Sequence, residues 1–197
     1  LATLSLPDLE IETIVPVPAD GGVSWGAAVT ETDEFTYIYG TEDLSDDKYM
    51  HLARAPRDGV TGAWEFWDGS GWNADPASSV RIMHGVANEY SVTPHAGGFV
   101  LITMDTSTTF SPDLVAFTAC DPQGPFENKT LLYRTPESNL ENQITYNAHA
   151  HPQFADERGW LVSYNVKTRT FGDLFLDAGI YRPRFIRVPF LEAVTEQ

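Results

Sequence analysis

A chain of 197 residues has room for one domain with a substantial core, and 42% hydrophobic residues exclude disorder as its main state. The net charge of −16, with only 12 Lys and Arg, argues against nucleic acid or an anionic membrane as partner and suits a neutral or cationic one. No run of about 18 apolar residues is present to span a bilayer, and the single Cys120 has no internal disulfide partner.

With 15 Gly, 13 Pro and no long amphipathic run, the sequence predicts short strands and tight turns. Leu1 to Pro7 has no initiator Met, basic n-region or adequate apolar stretch, so it is no signal peptide and reads as the interior of a longer chain. Residues 1–22 hold an orphan strand, Glu10 to Val17, and a linker. A first unit, 23–73, follows with strands Ser24 to Thr30, Phe35 to Gly40, Tyr49 to Arg54 and Trp64 to Trp67. A second, 80–136, repeats the pattern with Glu89 to Thr93, Phe99 to Met104, Leu114 to Ala119 and Thr130 to Tyr133. The third, 144–190, has Asn147 to Phe154, Trp160 to Asn165 and Ile180 to Val188, with no obvious outer strand.

The second strand of each unit follows a turn: Thr32-Asp33-Glu34, His95-Ala96-Gly97-Gly98 and Asp156-Glu157-Arg158-Gly159. Four-stranded antiparallel units repeating at about 60 residues predict the blades of a β-propeller rather than a sandwich. The fold class is therefore all-β, with about three blades present. A three-blade arc leaves two apolar edges, which predicts association with a companion chain or a second copy.

Within the third unit, Tyr146-Asn147-Ala148-His149-Ala150-His151-Pro152 places polar groups at every second position. On a strand of period two, Asn147, His149 and His151 share one face, as on the innermost strand of a blade lining a channel.

These stretches, with Ser24-Trp25-Gly26-Ala27-Ala28, Trp64-Glu65-Phe66-Trp67-Asp68-Gly69-Ser70-Gly71-Trp72, Asn88-Glu89-Tyr90-Ser91-Val92 and Tyr181-Arg182-Pro183-Arg184-Phe185, carry a resemblance. They resemble the C-terminal part of a secreted bacterial family of five-bladed propellers related to glycoside hydrolases, the family that includes endo-D-arabinanases. The resemblance implies an extracellular, carbohydrate-active protein acting on a furanose-type polysaccharide such as arabinan, with part of the active site outside this chain. It equally admits a glycan-binding propeller without catalysis, or an assembly module.

In such blades the start of the first strand and the loop between the second and third lie at the same end. That end would gather Trp25, Glu89 and Asn147 to His151 with the loops Glu42 to Asp47, Asp105 to Asp113 and Asn165 to Asp177. Glycoside hydrolysis needs two carboxyl groups about 5–10 Å apart. Glu89 is the candidate acid if partly buried against an aromatic, or a strand-end glutamate facing solvent. Asp105 is a second candidate, with a turn-forming role as its alternative. Trp25, Tyr90, Tyr146 and Tyr164 are placed to stack on sugar rings, with Asn147 and Asn165 as polar contacts. Trp64, Phe66, Trp67 and Trp72 read as packing.

His149 and His151 read as hydrogen-bonded channel groups, to protein or to sugar hydroxyls. As metal ligands they would need a third partner that the sequence does not place. No cofactor is called for, though a calcium ion held mostly by water and carbonyls near His151 is compatible with the pattern. Arg182 is a candidate substrate contact, although it and Arg184 also suit carboxylate pairs between blades, as does Arg54. His51 and His84 carry no special pattern, and no serine stands on a nucleophile elbow.

Overall fold

A computed structural model describes residues 1–18 and 22–191; the linker residues 19–21 and the tail 192–197 lie outside the described residues. The chain is all-β, with 3-10 turns as its only helical elements among those residues. Strands β1 (Ala2–Leu4) and β2 (Ile11–Ile14) form a hairpin of their own. The first large sheet follows: β3 (Val23–Glu31), β4 (Phe35–Asp43), β5 (Lys48–Pro56), β6 (Glu65–Trp67) and β7 (Trp72–Asn73) in that order, with β8 (Met83–His84) on the other end of β5. The second is β9 (Ser91–His95), β10 (Gly98–Met104), β11 (Asp113–Ala119) and β12 (Glu127–Arg134), and the third is β13 (Gln143–Asp156), β14 (Gly159–Thr168) and β15 (Pro183–Val188). Every pairing is antiparallel between neighbours in the chain, apart from β5 with β8.

The run Phe99 to Met104 is apolar almost throughout because β10 is covered on both faces. Val100, Ile102 and Met104 meet Trp160, Val162, Tyr164 and Val166 of the third sheet. Leu101, with Phe99 beside it, meets Tyr39 and Leu52 of the first. Burying each such aliphatic side chain stabilises the fold by about 1.5–3 kcal/mol. On the far face of the first sheet, Ile38, Ala53, Trp64 and Phe66 form a third cluster. Three sheets packed in chain order are consistent with successive blades of a partial propeller, and the described residues do not close a ring.

Three expectations are corrected here. The predicted orphan strand Glu10 to Val17 is the shorter β2, and it is no orphan, because it pairs with β1, too short a strand to register in the sequence. The first sheet continues past residue 73, since Met83 pairs with Met50 and His84 with Tyr49. The first strand of the second sheet starts at Ser91, leaving Glu89 in the loop before it.

Candidate functional site

The loops after the second strand of each sheet do gather with the starts of the inner strands, and at that end lies a cleft of about 760 Å³. Its walls come from three places. Asn88 and Glu89 precede β9, residues 105–111 join β10 to β11, and Ile144 to Asn147 begin β13. Ser45 and Asp46 of the loop between β4 and β5, with Lys48 and Lys167, also line it. Hydroxyl groups dominate one wall, where Thr106, Ser107, Thr108 and Thr109 lead to an exposed Phe110.

Both candidate carboxylates line this cleft. Glu89 is exposed, so the expected partial burial against an aromatic is absent. Asp105 is 13% exposed at its side chain and caps its own loop. Ser107 donates its backbone N–H (3.1 Å) and its hydroxyl (2.7 Å) to Asp105, and Lys129 Nζ lies 2.7 Å away. Burial pushes the Asp105 carboxyl up, but the hydrogen bonds from Lys129 and Ser107 outweigh it and hold the group below the usual carboxylate range. Asp105 is thus both a turn former and a fixed anion.

The predicted polar comb is broken at its first tooth. The ladder passes from Tyr146 opposite Asn165 to His149 opposite Ser163, and Asn147 takes φ +58° in the resulting bulge. Asn147 therefore turns into the cleft with Tyr146, and His149 and His151 do not line it. The two histidines remain neighbours on β13, rings 6.1 Å apart, with His151 Nε2 2.8 Å from Ser163 Oγ. Burial, then the charge of His151, lowers the pKa of His149. Among the described residues no three His, Cys, Asp or Glu side chains converge as metal ligands.

Three of the predicted stacking aromatics are spent on packing. Tyr90 is fully buried and donates its hydroxyl to the Gly40 carbonyl, 3.1 Å away in the first sheet. Tyr164 is 2% exposed and donates to Glu137 Oε2 at 2.9 Å. Trp25 lies edge-on to Phe66 (5.4 Å) and Trp64 (6.4 Å), over Gly40, where a Cβ would come within 2.8 Å of its ring. The indole and phenol rings that look like sugar platforms in sequence are apolar enough to be claimed by the sheets first.

Tyr146 remains. It also forms a wall of a second hollow of about 110 Å³, lined by Asn165, Tyr181 and Arg182. Burial raises the Tyr146 pKa, as do Tyr181 and the charge of Glu89, so its hydroxyl stays protonated. Arg184 bonds Glu137 (3.1 Å) in the turn between the second and third sheets, and Arg54 pairs with Glu65 (2.8 Å) across its own sheet. Arg182 has no carboxylate partner among the described residues. Lys48, Lys167 and Phe110 were not singled out from the sequence; an aromatic inside the run Thr106 to Ser111 was the available signal.

Residues 1–190 match a family described as a domain of unknown function, DUF5005. The chain belongs to that family. In three dimensions this DUF5005 domain is similar to a protein described as a "putative hydrolase from Bacteroides ovatus ATCC 8483", with a TM-score of 0.74 and 21% identity. The match covers 91% of the DUF5005 chain and 48% of the Bacteroides protein, so the chain spans about half the length of that relative. At this identity the likeness is one of fold. No curated protein matches the sequence.

Proposed function

We infer that this DUF5005 domain is a carbohydrate-active, propeller-type hydrolase module that acts on a furanose-type polysaccharide such as arabinan. The observation that carries the reading is the meeting of Glu89 and Asp105 on one cleft rich in hydroxyl, amide and aromatic groups, where Asp46, Lys48 and Lys167 also stand. That composition suits a polyhydroxylated chain, and the two carboxyl groups answer the need of glycoside hydrolysis for an acid and an anion. Glu89 pairs with no cation among the described residues, and on this reading it becomes the acid when the bound glycan and further blades cover it. Asp105, held ionised by Lys129 and Ser107, would activate water or stabilise an oxocarbenium-like transition state. Tyr146 and Asn147 would orient the sugar between them. On this reading an extracellular setting fits, and further blades, from a companion chain or a second copy, supply the rest of the groove.

Binding without cleavage is the rival, favoured by the engagement of both Asp105 oxygens inside the protein. Glu89→Gln separates the two. Reducing-sugar release from arabinan should fall about 10²–10⁴-fold while calorimetric affinity for arabino-oligosaccharides is kept. Wild-type binding with no release of sugar would replace the hydrolase by the binding reading. No binding to any glycan would sink both.

A further inference from the structure

Nine of the twelve Lys and Arg side chains lie within 4.0 Å of a carboxylate, as expected where acids outnumber bases so heavily. The three left without one among the described residues are Lys167 in β14, Arg169 just after it and Arg182 just before β15. Lys167 lines the cleft, Arg169 lies 5.0 Å over the Phe110 ring that also lines it, and Arg182 lines the small hollow behind Tyr146. Their position is the unexplained feature.

The small hollow sets four residues able to donate hydrogen bonds beside the apolar Val166 and Pro183. Tyr146 and Tyr181 bring phenols, Asn165 an amide and Arg182 a planar guanidinium, and no carboxylate lines it. Its volume of about 110 Å³ holds about four waters at ~30 Å³ each, the room of a substituent and its hydration rather than of another unit of chain. Tyr146 is shared by both hollows, so a sugar in the cleft can turn one substituent past its ring.

We propose that the hollow at Tyr146, Asn165, Tyr181 and Arg182 takes an oxyanion substituent, a carboxylate or a sulfate ester, carried by the glycan in the cleft. This rests on the carbohydrate reading above and narrows it to acidic glycans, or to neutral chains bearing acidic units. A guanidinium meets either oxyanion with two parallel hydrogen bonds, and the neutral phenols and amide supply further donors without an opposing charge. The net charge of −16 does not forbid it. At physiological salt a surface charge is screened beyond about 8 Å, so the ligand responds to the local cations, and Lys129 already neutralises Asp105.

The test is calorimetric binding of three matched oligosaccharides: uronic acid-containing, carboxyl-reduced and sulfated. Binding of an acidic member at least 10-fold tighter than the reduced one, weakened by raising NaCl from 50 to 500 mM, supports the proposal. The preferred acidic member identifies the substituent. Arg182→Gln should bring the acidic and reduced chains to equal affinity; Arg182 is exposed and its guanidinium supports no fold contact among the described residues, so the thermal midpoint should be kept. Equal affinity of the parent for acidic and reduced chains, or an unaltered preference in R182Q, overturns the proposal while leaving the carbohydrate reading intact. Failure of all three to bind overturns the proposal, and the carbohydrate reading falls with it only if arabino-oligosaccharides also fail to bind.

Discussion

Asn147 offers a direct test of how the cleft is built, because its backbone and its side chain have separable duties. Its φ of +58° lies in the left-handed region, at the bulge where β13 skips a position against β14. An ordinary side chain there costs about 1–2 kcal/mol, asparagine tolerates the region, and glycine has no steric penalty. The Asn147 amide makes no hydrogen bond within the described residues, so deleting it should cost the fold nothing directly. Asn147→Ala is then destabilised by about 1 kcal/mol. Asn147→Gly, which gains freedom in the unfolded chain, stays within about 0.5 kcal/mol of the parent. With a urea m-value of about 2 kcal/mol/M, the alanine midpoint falls by about 0.5 M and the glycine midpoint hardly moves. Glycan affinity behaves differently and falls equally in both, since each lacks the amide. Equal urea midpoints for the two variants would refute the conformational account of the bulge. A loss in both would show that the amide holds the fold together.

Acidification gives a second handle. Burial lowers the pKa of His51, against the pull of Glu42, and of His149. Both bind fewer protons folded than unfolded, so stability is level above the ordinary histidine value of about 6.5, falls as pH drops from there towards the folded values, and then levels again. The urea midpoint should decline between pH 7 and 5.5 and flatten in H51Q/H149Q; a flat parent profile would contradict the reasoning. Leu101 is fully buried between the first and second sheets, so Leu101→Ala should cost about 2–5 kcal/mol in equilibrium unfolding, and a loss under 1 kcal/mol would mean the sheets do not pack as described. Gly159 has φ +112°, and a Cβ there would run into the Val188 carbonyl; Gly159→Ala should lower the thermal midpoint by several degrees and fails as a prediction if it does not.

The strand pattern was legible because its causes are local. Turns such as His95 to Gly98 and alternation along Phe35 to Gly40 are written in neighbouring residues, and the end of the sheets that gathers the cleft follows from antiparallel order alone. Glu89, Asp105, Tyr146 and Asn147 were found that way. What the sequence hid is non-local. Tyr90 and Tyr164 are swallowed because partners at Gly40 and Glu137, far along the chain, take their hydroxyls. The bulge at Asn147 depends on one backbone angle, and shifting one residue moved both histidines off the cleft. Which cations stay unpaired could not be read at all, since Arg182 and Arg184 look alike until Glu137 is seen to choose Arg184.

The same structural position therefore does different work in each sheet. Near the start of the first strand, the first sheet has Trp25 beside Gly26 (φ +96°), the second has Glu89 in the loop just before β9, and the third has Tyr146 beside Asn147. A left-handed residue interrupts the ladder in both the first and third sheets, with two extra residues between Trp25 and Ala28 and one between Tyr146 and His149. What separates their fates is the floor beneath. Gly40 leaves a space that the Trp25 ring fills, so that aromatic collapses onto its own sheet. Opposite Tyr146 stands Asn165, with Tyr181 and Arg182 beyond it, and the ring is left between two hollows instead. The repeat places an aromatic at this position in the first and third sheets; the residue across the ladder decides whether it becomes core or cleft.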